Sequence, residues 1–159
     1  ELGHLLFLGF YLACGALANL AQVLADPASP IPVVGASGAI AGLMGGYLLL
    51  FPKAKIDILV IFVVFFRVFS ISAWIVLGLW FALQLLNGST STAASSGIAY
   101  WAHIGGFAAG LVLIFPLFIR LGAAAFWRET LGHPPHPEKI YAGSLARVPL
   151  VPRKSNTRK

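Results

Sequence analysis

An all-α, polytopic membrane helix bundle is the fold class this sequence predicts, on three observations. The 159 residues are 58% hydrophobic and only 10% charged, against about 45–50% apolar and about 25% charged in ordinary soluble domains. Mean hydropathy is +0.87. Four uncharged runs, 5–24, 33–51, 68–86 and 101–119, are each nineteen or twenty residues long, close to the ~20 residues a helix needs to cross a hydrocarbon core of roughly 30 Å. These figures exclude a soluble globular enzyme, a disordered protein and a disulfide scaffold. The lone Cys14 lies in an apolar run and has no second cysteine to pair with.

The runs are taken as helices because backbone groups in lipid must be satisfied within their own segment. The first, 5–24, carries no charge. The second, 33–51, opens with Gly35-Ala36-Ser37-Gly38 and places Gly38, Gly42 and Gly46 at four-residue intervals. That spacing lets membrane helices pack closely. The stretch 58–66 is bounded by Asp57 and Arg67, is too short to cross and is rich in β-branched and aromatic residues. It is expected at the interface or in a re-entrant connection. The third run is 68–86. The fourth, 101–119, holds His103, Gly106 and Gly110.

Charge sets the orientation. Lys53, Lys55 and Arg67 lie between the second and third runs, and Arg120 and Arg128 follow the fourth. The connections 25–32 and 87–100 carry a single charge, Asp26. An excess of Lys and Arg marks cytoplasmic loops, so the 52–67 connection and the C-terminal tail are expected inside and the two other loops outside. The division expected is a membrane domain at 1–126 and a basic, Pro-containing, disordered cytoplasmic tail at 127–159. The tail has seven Lys/Arg against two Asp/Glu, a charge attracted to anionic headgroups at about 1 kcal/mol per basic residue near the surface. It lacks the aromatic interleaving of a nucleic-acid binder, so the expected partner is the lipid bilayer, and no nucleic acid. The chain opens at Glu1, without an initiating Met, directly before an apolar run. It is expected to be a piece of a longer polypeptide.

Polar groups inside the spans are few: Asn19, Gln22, Ser37, Ser70, Ser72, Gln84 and His103. Read singly, Ser37 is a packing serine among glycines, and His103 is a hydrogen-bonded structural histidine. Topology changes the reading. The second and fourth spans run parallel, and Ser37 and His103 lie at depths that differ by only about 3 Å. If the glycine-lined faces meet, hydroxyl and imidazole come within hydrogen-bond reach, the minimum for an activated serine nucleophile. No carboxylate is placed to orient the histidine, so the arrangement is a dyad. Amides at the start of the second helix, from Gly35 to Ser37, can point at an oxyanion, aided by the positive end of the helix dipole.

Gly35-Ala36-Ser37-Gly38, followed two helices later by Ala102-His103-Ile104-Gly105-Gly106-Phe107-Ala108-Ala109-Gly110, resembles the rhomboid family of intramembrane serine proteases. The resemblance runs from Glu1 to about Phe118 and includes Leu2-Gly3-His4, Leu48-Leu49-Leu50-Phe51-Pro52 and the helix from Trp74 to Gln84. It implies Ser37 as nucleophile and His103 as general base and then acid. The Gly35 and Ser37 backbone would serve the oxyanion, and Gly38, Gly42, Gly106 and Gly110 would let the two helices pack. The substrate would be a transmembrane helix of another protein, cleaved near its outer end, with 87–100 as a mobile cap and no metal or cofactor. The family core has six spans, and the span before the first one here supplies oxyanion His and Asn side chains. Against that pattern, the expectation is a fragment lacking the first two helices. Asn19 is considered as a substitute donor and, with Gln22 and Gln84, as an inter-helix hydrogen bond. Ala41 stands where the family often has an aromatic residue stacked on the histidine, and Tyr100 or Trp101 is expected to take over.

The leading expectation is an intramembrane serine endopeptidase, multi-pass in a bacterial inner membrane. The alternative is a non-catalytic rhomboid-like protein that binds membrane helices. A channel or transporter would want polar groups lining a path at the midplane, whereas here they gather near one face.

Overall fold

The computed structural model describes residues 3–29, 35–62, 65–90 and 97–135. The chain forms helix α1 (Gly3–Ala25), helix α2 (Ser37–Leu50), strands β1 (Lys55–Phe62) and β2 (Phe65–Ser72), helix α3 (Ala73–Thr90), helix α4 (Tyr100–Arg120) and the short helix α5 (Ala124–Thr130). Three of these, α1, α3 and α4, are long and apolar enough to cross a membrane. The remaining expected span, 33–51, is the shorter apolar helix α2. The run 33–51 contains a helix of 14 residues, or about 21 Å. Gly35 precedes it at φ +130°, a conformation that L side chains rarely adopt, and Pro52 follows it, which disfavours helical geometry at Phe51. Residues 30–34 and 91–96, parts of the run 33–51 and of the connections 25–32 and 87–100, lie outside the described residues. Of the connection 87–100, residues 87–90 belong to α3.

Small residues decide which helices touch. The buried positions of α2 are Gly38, Ala39, Ala41, Gly42, Gly45 and Gly46, and α1 contributes Cys14, Ala18 and Gln22 at intervals of four. A methyl group added at Gly106 would collide with the Gly38 carbonyl, and one at Gly110 with the Gly42 carbonyl. A methyl group at Gly42 would lie 2.5 Å from the Cys14 Cβ. The α2 and α4 backbones are therefore in direct contact, with α1 laid across the same seam. Large side chains face outward: Leu5 is 84% exposed, Leu24 73% and Val112 69%. In lipid that exposure carries no penalty, because acyl chains are as apolar as leucine and helix association rests on close packing instead.

Strands β1 and β2 pair antiparallel, with Lys55 opposite Ser72 and Phe62 opposite Phe65. Of the stretch 58–66, expected at the interface or in a re-entrant connection, residues 58–62 and 65–66 belong to this strand pair and 63–64 lie outside the described residues. The third helix starts at Ala73 instead of Val68. The reason is local chemistry. β-Branched and aromatic residues suit extended backbone, and Asp57 and Ser70, opposite each other, are joined by a hydroxyl-to-carboxylate hydrogen bond of 2.6 Å. The base is clamped to the helices. The Ala54 carbonyl accepts the Ala73 N–H at 2.7 Å, and the Pro52 carbonyl accepts the Trp74 N–H at 3.2 Å. Because opposed residues share a face, Lys55, Asp57, Ser70 and Ser72 lie on one side near the base, and Ile56, Ile58, Phe69 and Ile71 on the other. Ile56 packs on the core around Ala54, Ala73 and Leu77.

Beyond α4, the expected boundary at 126/127 falls within α5. The Trp127 indole N–H donates to the Leu49 carbonyl at 3.0 Å, its ring lies 4.8 Å from that of Phe118, and the Lys53 N–H donates to the Gly132 carbonyl. Residues 136–159 of the expected tail lie outside the described residues.

Two tests follow from this packing. Gly110→Ala, whose methyl meets backbone that cannot yield, is expected to lose about 1–3 kcal/mol of stability, read by thermal unfolding in detergent. Gly78→Ala, where no atom lies within 4 Å, is expected to leave stability unchanged or slightly raised. For the strand pair, single cysteines in a Cys14→Ser background are expected to react with a water-soluble maleimide in bilayers at 57 and 70 but not at 58 and 69. Equal reactivity at all four would show that both faces meet water.

Candidate active site

The left-handed turn at Gly35 brings the chain into α2 with Ser37 as its first residue. A side chain at 35 would lie 3.9 Å from the Ser37 hydroxyl, so glycine both permits the turn and leaves the oxygen open. Ser37 is exposed. Its own amide and that of Gly38 lie in the first turn, where helix geometry leaves N–H groups without intrahelical partners.

His103 is the fourth residue of α4 and half-buried. Two neighbours fix the start of that helix. Gly106 sits on the Gly38 carbonyl, so the serine just before Gly38 and the histidine one turn before Gly106 are drawn together. Buried Gln22 reaches from α1, and its side-chain oxygen accepts the Ala102 N–H at 3.2 Å. The result is a hydrogen-bond contact of 3.0 Å between His103 Nε2 and Ser37 Oγ.

The other ring nitrogen, Nδ1, lies 2.9 Å from the Gln84 Oε1 on α3. Trp80, one turn before Gln84, lays its ring over the imidazole with centroids 5.9 Å apart and planes at 39°. The histidine is thus held from three helices: Ser37 on α2, Gln84 and Trp80 on α3, and its own backbone on α4.

The residues singled out in the sequence occupy definite places. Ser37 and His103 are in contact, Gly35 forms the turn, and Gly38, Gly42, Gly106 and Gly110 line the seam between α2 and α4. Asn19 does neither thing expected of it. It is exposed, and its amide donates to the Gly15 carbonyl of its own helix at 2.9 Å, because position 19 follows the buried Ala18 and faces away from the seam. The aromatic partner of the imidazole is Trp80 rather than Tyr100 or Trp101, both of which lie beside Gly88. The sequence does not single out Trp80, and it marks Gln84 only as an inter-helix hydrogen bond, without His103 as its partner. The available signal was their four-residue spacing, which stacks them on one face of a span otherwise almost free of polar groups.

These features define a class: a multi-pass integral membrane helix bundle with a serine–histidine contact at the mouth of a glycine-lined helix pair. The Rhomboid domain family model matches residues 1–120, and the chain belongs to the rhomboid family. That family consists generally of serine intramembrane proteases, with rhomboid-like relatives, and acts on membrane-protein substrates in the bilayer. No curated protein and no solved structure matched the chain.

Proposed function

We propose that the protein is an intramembrane serine endopeptidase that cleaves transmembrane helices of other proteins near their outer ends. The observation that carries this reading is the 3.0 Å contact between His103 Nε2 and Ser37 Oγ at an exposed helix start. A serine hydroxyl is a weak nucleophile until a neighbouring base takes its proton. His103 accepts that proton as Ser37 Oγ bonds to the substrate carbonyl carbon. The first-turn amides at Ser37, with the backbone at Gly35, face the oxygen that gains charge. His103 then protonates the leaving amine, whose bond to the acyl carbon breaks. In the second half, His103 takes a proton from water, the resulting oxygen attacks the acyl-enzyme, and Ser37 leaves reprotonated.

The site lies within one turn of the helix starts, at the end of the bundle away from Lys53, Lys55, Arg67, Arg120 and Arg128. The distribution of those five cations supports an orientation with the strand pair and α5 on the cytoplasmic side and the dyad toward the outer surface. A substrate helix reaches such a site where helix-breaking residues let it unwind. A bacterial inner membrane is the compartment this arrangement suits, with the basic C-terminal tail drawn to the same leaflet as the base of the strand pair.

The test is covalent capture by a fluorophosphonate in detergent. Labelling of the parent chain is expected to vanish in Ser37→Ala. In His103→Ala it is expected to slow about 10²- to 10⁴-fold, the range general-base assistance supplies. Labelling that survives Ser37→Ala, or its absence from the parent chain, would contradict the proposal. Absence would favour the alternative, a non-catalytic rhomboid-like protein that binds membrane helices.

A further inference from the structure

We infer that Gln84 is a positioning residue, which holds His103 in the one tautomer that can accept the Ser37 proton. This rests on the hydrolase reading above and adds a third member to what the sequence presents as a dyad. A neutral imidazole carries one N–H. With the proton on Nε2, the ring donates to Ser37 Oγ and has no lone pair there to act as a base. With the proton on Nδ1, the Nε2 lone pair faces the hydroxyl. The partner of Nδ1 decides between these states, as for ligand and catalytic histidines generally. Here it is the Gln84 Oε1, 2.9 Å away, an oxygen that can only accept. The bond is therefore made by Nδ1–H, and the productive tautomer follows.

Two further observations make Gln84 more than an incidental neighbour. It is only 9% exposed, so water does not readily replace it at Nδ1. Trp80 lies one turn away on the same face of α3 and packs against the ring at a tilt, which limits rotation out of the plane shared by Ser37 and Gln84. The choice of an amide also fits the depth of the site. An ionised carboxylate inside a span is expensive, while a glutamine offers the same acceptor oxygen without charge. The orientation is thus supplied by a neutral dipole, and His103 gains no permanent counter-charge from it.

The experiment compares Gln84→Leu, which keeps bulk and removes the acceptor, with Gln84→Glu, which keeps an acceptor oxygen in either protonation state. Phosphonate capture by Gln84→Leu is expected to slow about 10- to 10²-fold. That is less than the ~10⁴-fold loss seen in serine proteases when an amide replaces the orienting carboxylate and holds the wrong tautomer. Gln84→Glu is expected to remain within about tenfold of the parent. The readout that packing alone would not move is the ¹⁵N spectrum of His103, assigned by difference from His103→Ala. It is expected to report Nδ1–H in the parent and a mixture, or Nε2–H, in Gln84→Leu. Parental capture by a folded Gln84→Leu, an unchanged tautomer in it, or a Gln84→Glu as slow as Gln84→Leu would each overturn the assignment. The tautomer signal needs no turnover. If capture proves independent of Ser37, the hydrolase reading fails while the test of Gln84 is still decided.

Discussion

Everything at the candidate site depends on how closely α2 and α4 approach. Gly38 and Gly42 present bare carbonyls, and Gly106 and Gly110 present bare Cα atoms against them. No other residue type fits: a methyl group at Gly106 or Gly110 meets main chain, and one at Gly38 or Gly42 meets the side chain of Ala18 or Cys14. In lipid there is little hydrophobic gain from bringing two helices together. The contact rests on close packing, and its separation is correspondingly sensitive to a single added carbon. Ser37 and His103 sit at the N-terminal end of this seam, one residue before Gly38 and three before Gly106. Their 3.0 Å separation is the local consequence of a backbone contact that runs along both helices.

The remaining elements hold that seam in register. Gln22 ties α1 to the first turn of α4, and Cys14 and Ala18 fill the groove that the glycines open. From the other side α3 supplies Gln84 and Trp80 to the imidazole. Phe81 stacks on Phe107 with centroids 4.7 Å apart, fixing the rotation of α3 against α4. At the opposite end, the Trp127 bond to Leu49 and the clamps from Ala54 and Pro52 join the ends of α2, α3 and α5. Polar hydrogen bonds thus close the bundle at both ends, while small residues bring it together in the middle.

The sequence made the bundle legible through its long uncharged runs, and the pair of site residues through topology. Two parallel helices with glycines at four-residue spacing bring forward whatever polar groups lie at their matching ends. Of the four apolar runs, 33–51 holds the shorter helix α2, because an apolar run does not reveal that Gly35 and Pro52 trim its helix. The strand pair was hidden for a similar reason. Nine apolar residues between Asp57 and Arg67 cannot be told from a short buried helix by periodicity, and the pairing that makes strands of 58–62 and 65–66 reaches into residues 68–72, which also read as the start of a span. Trp80 is not singled out by the sequence, whereas Asn19 is expected to make a contact and bonds within its own helix instead. Both depend on helix rotation, which turns Trp80 toward the histidine and Asn19 away from the seam, and no single run of residues encodes that angle.

The most direct measurement is the rate of Ser37 modification in Gly106→Ala, in which serine, histidine and glutamine are all retained. The comparison is with Gly78→Ala, both measured on helical, monodisperse protein. If the α2–α4 contact sets the geometry of the site, the added methyl against the Gly38 carbonyl should slow capture by about 10²-fold, the penalty of a misplacement near 1 Å. Gly78→Ala should react at the parental rate. A folded Gly106→Ala that reacts as fast as the parent would contradict the account, because the serine would then owe its reactivity to something other than the approach of these two helices.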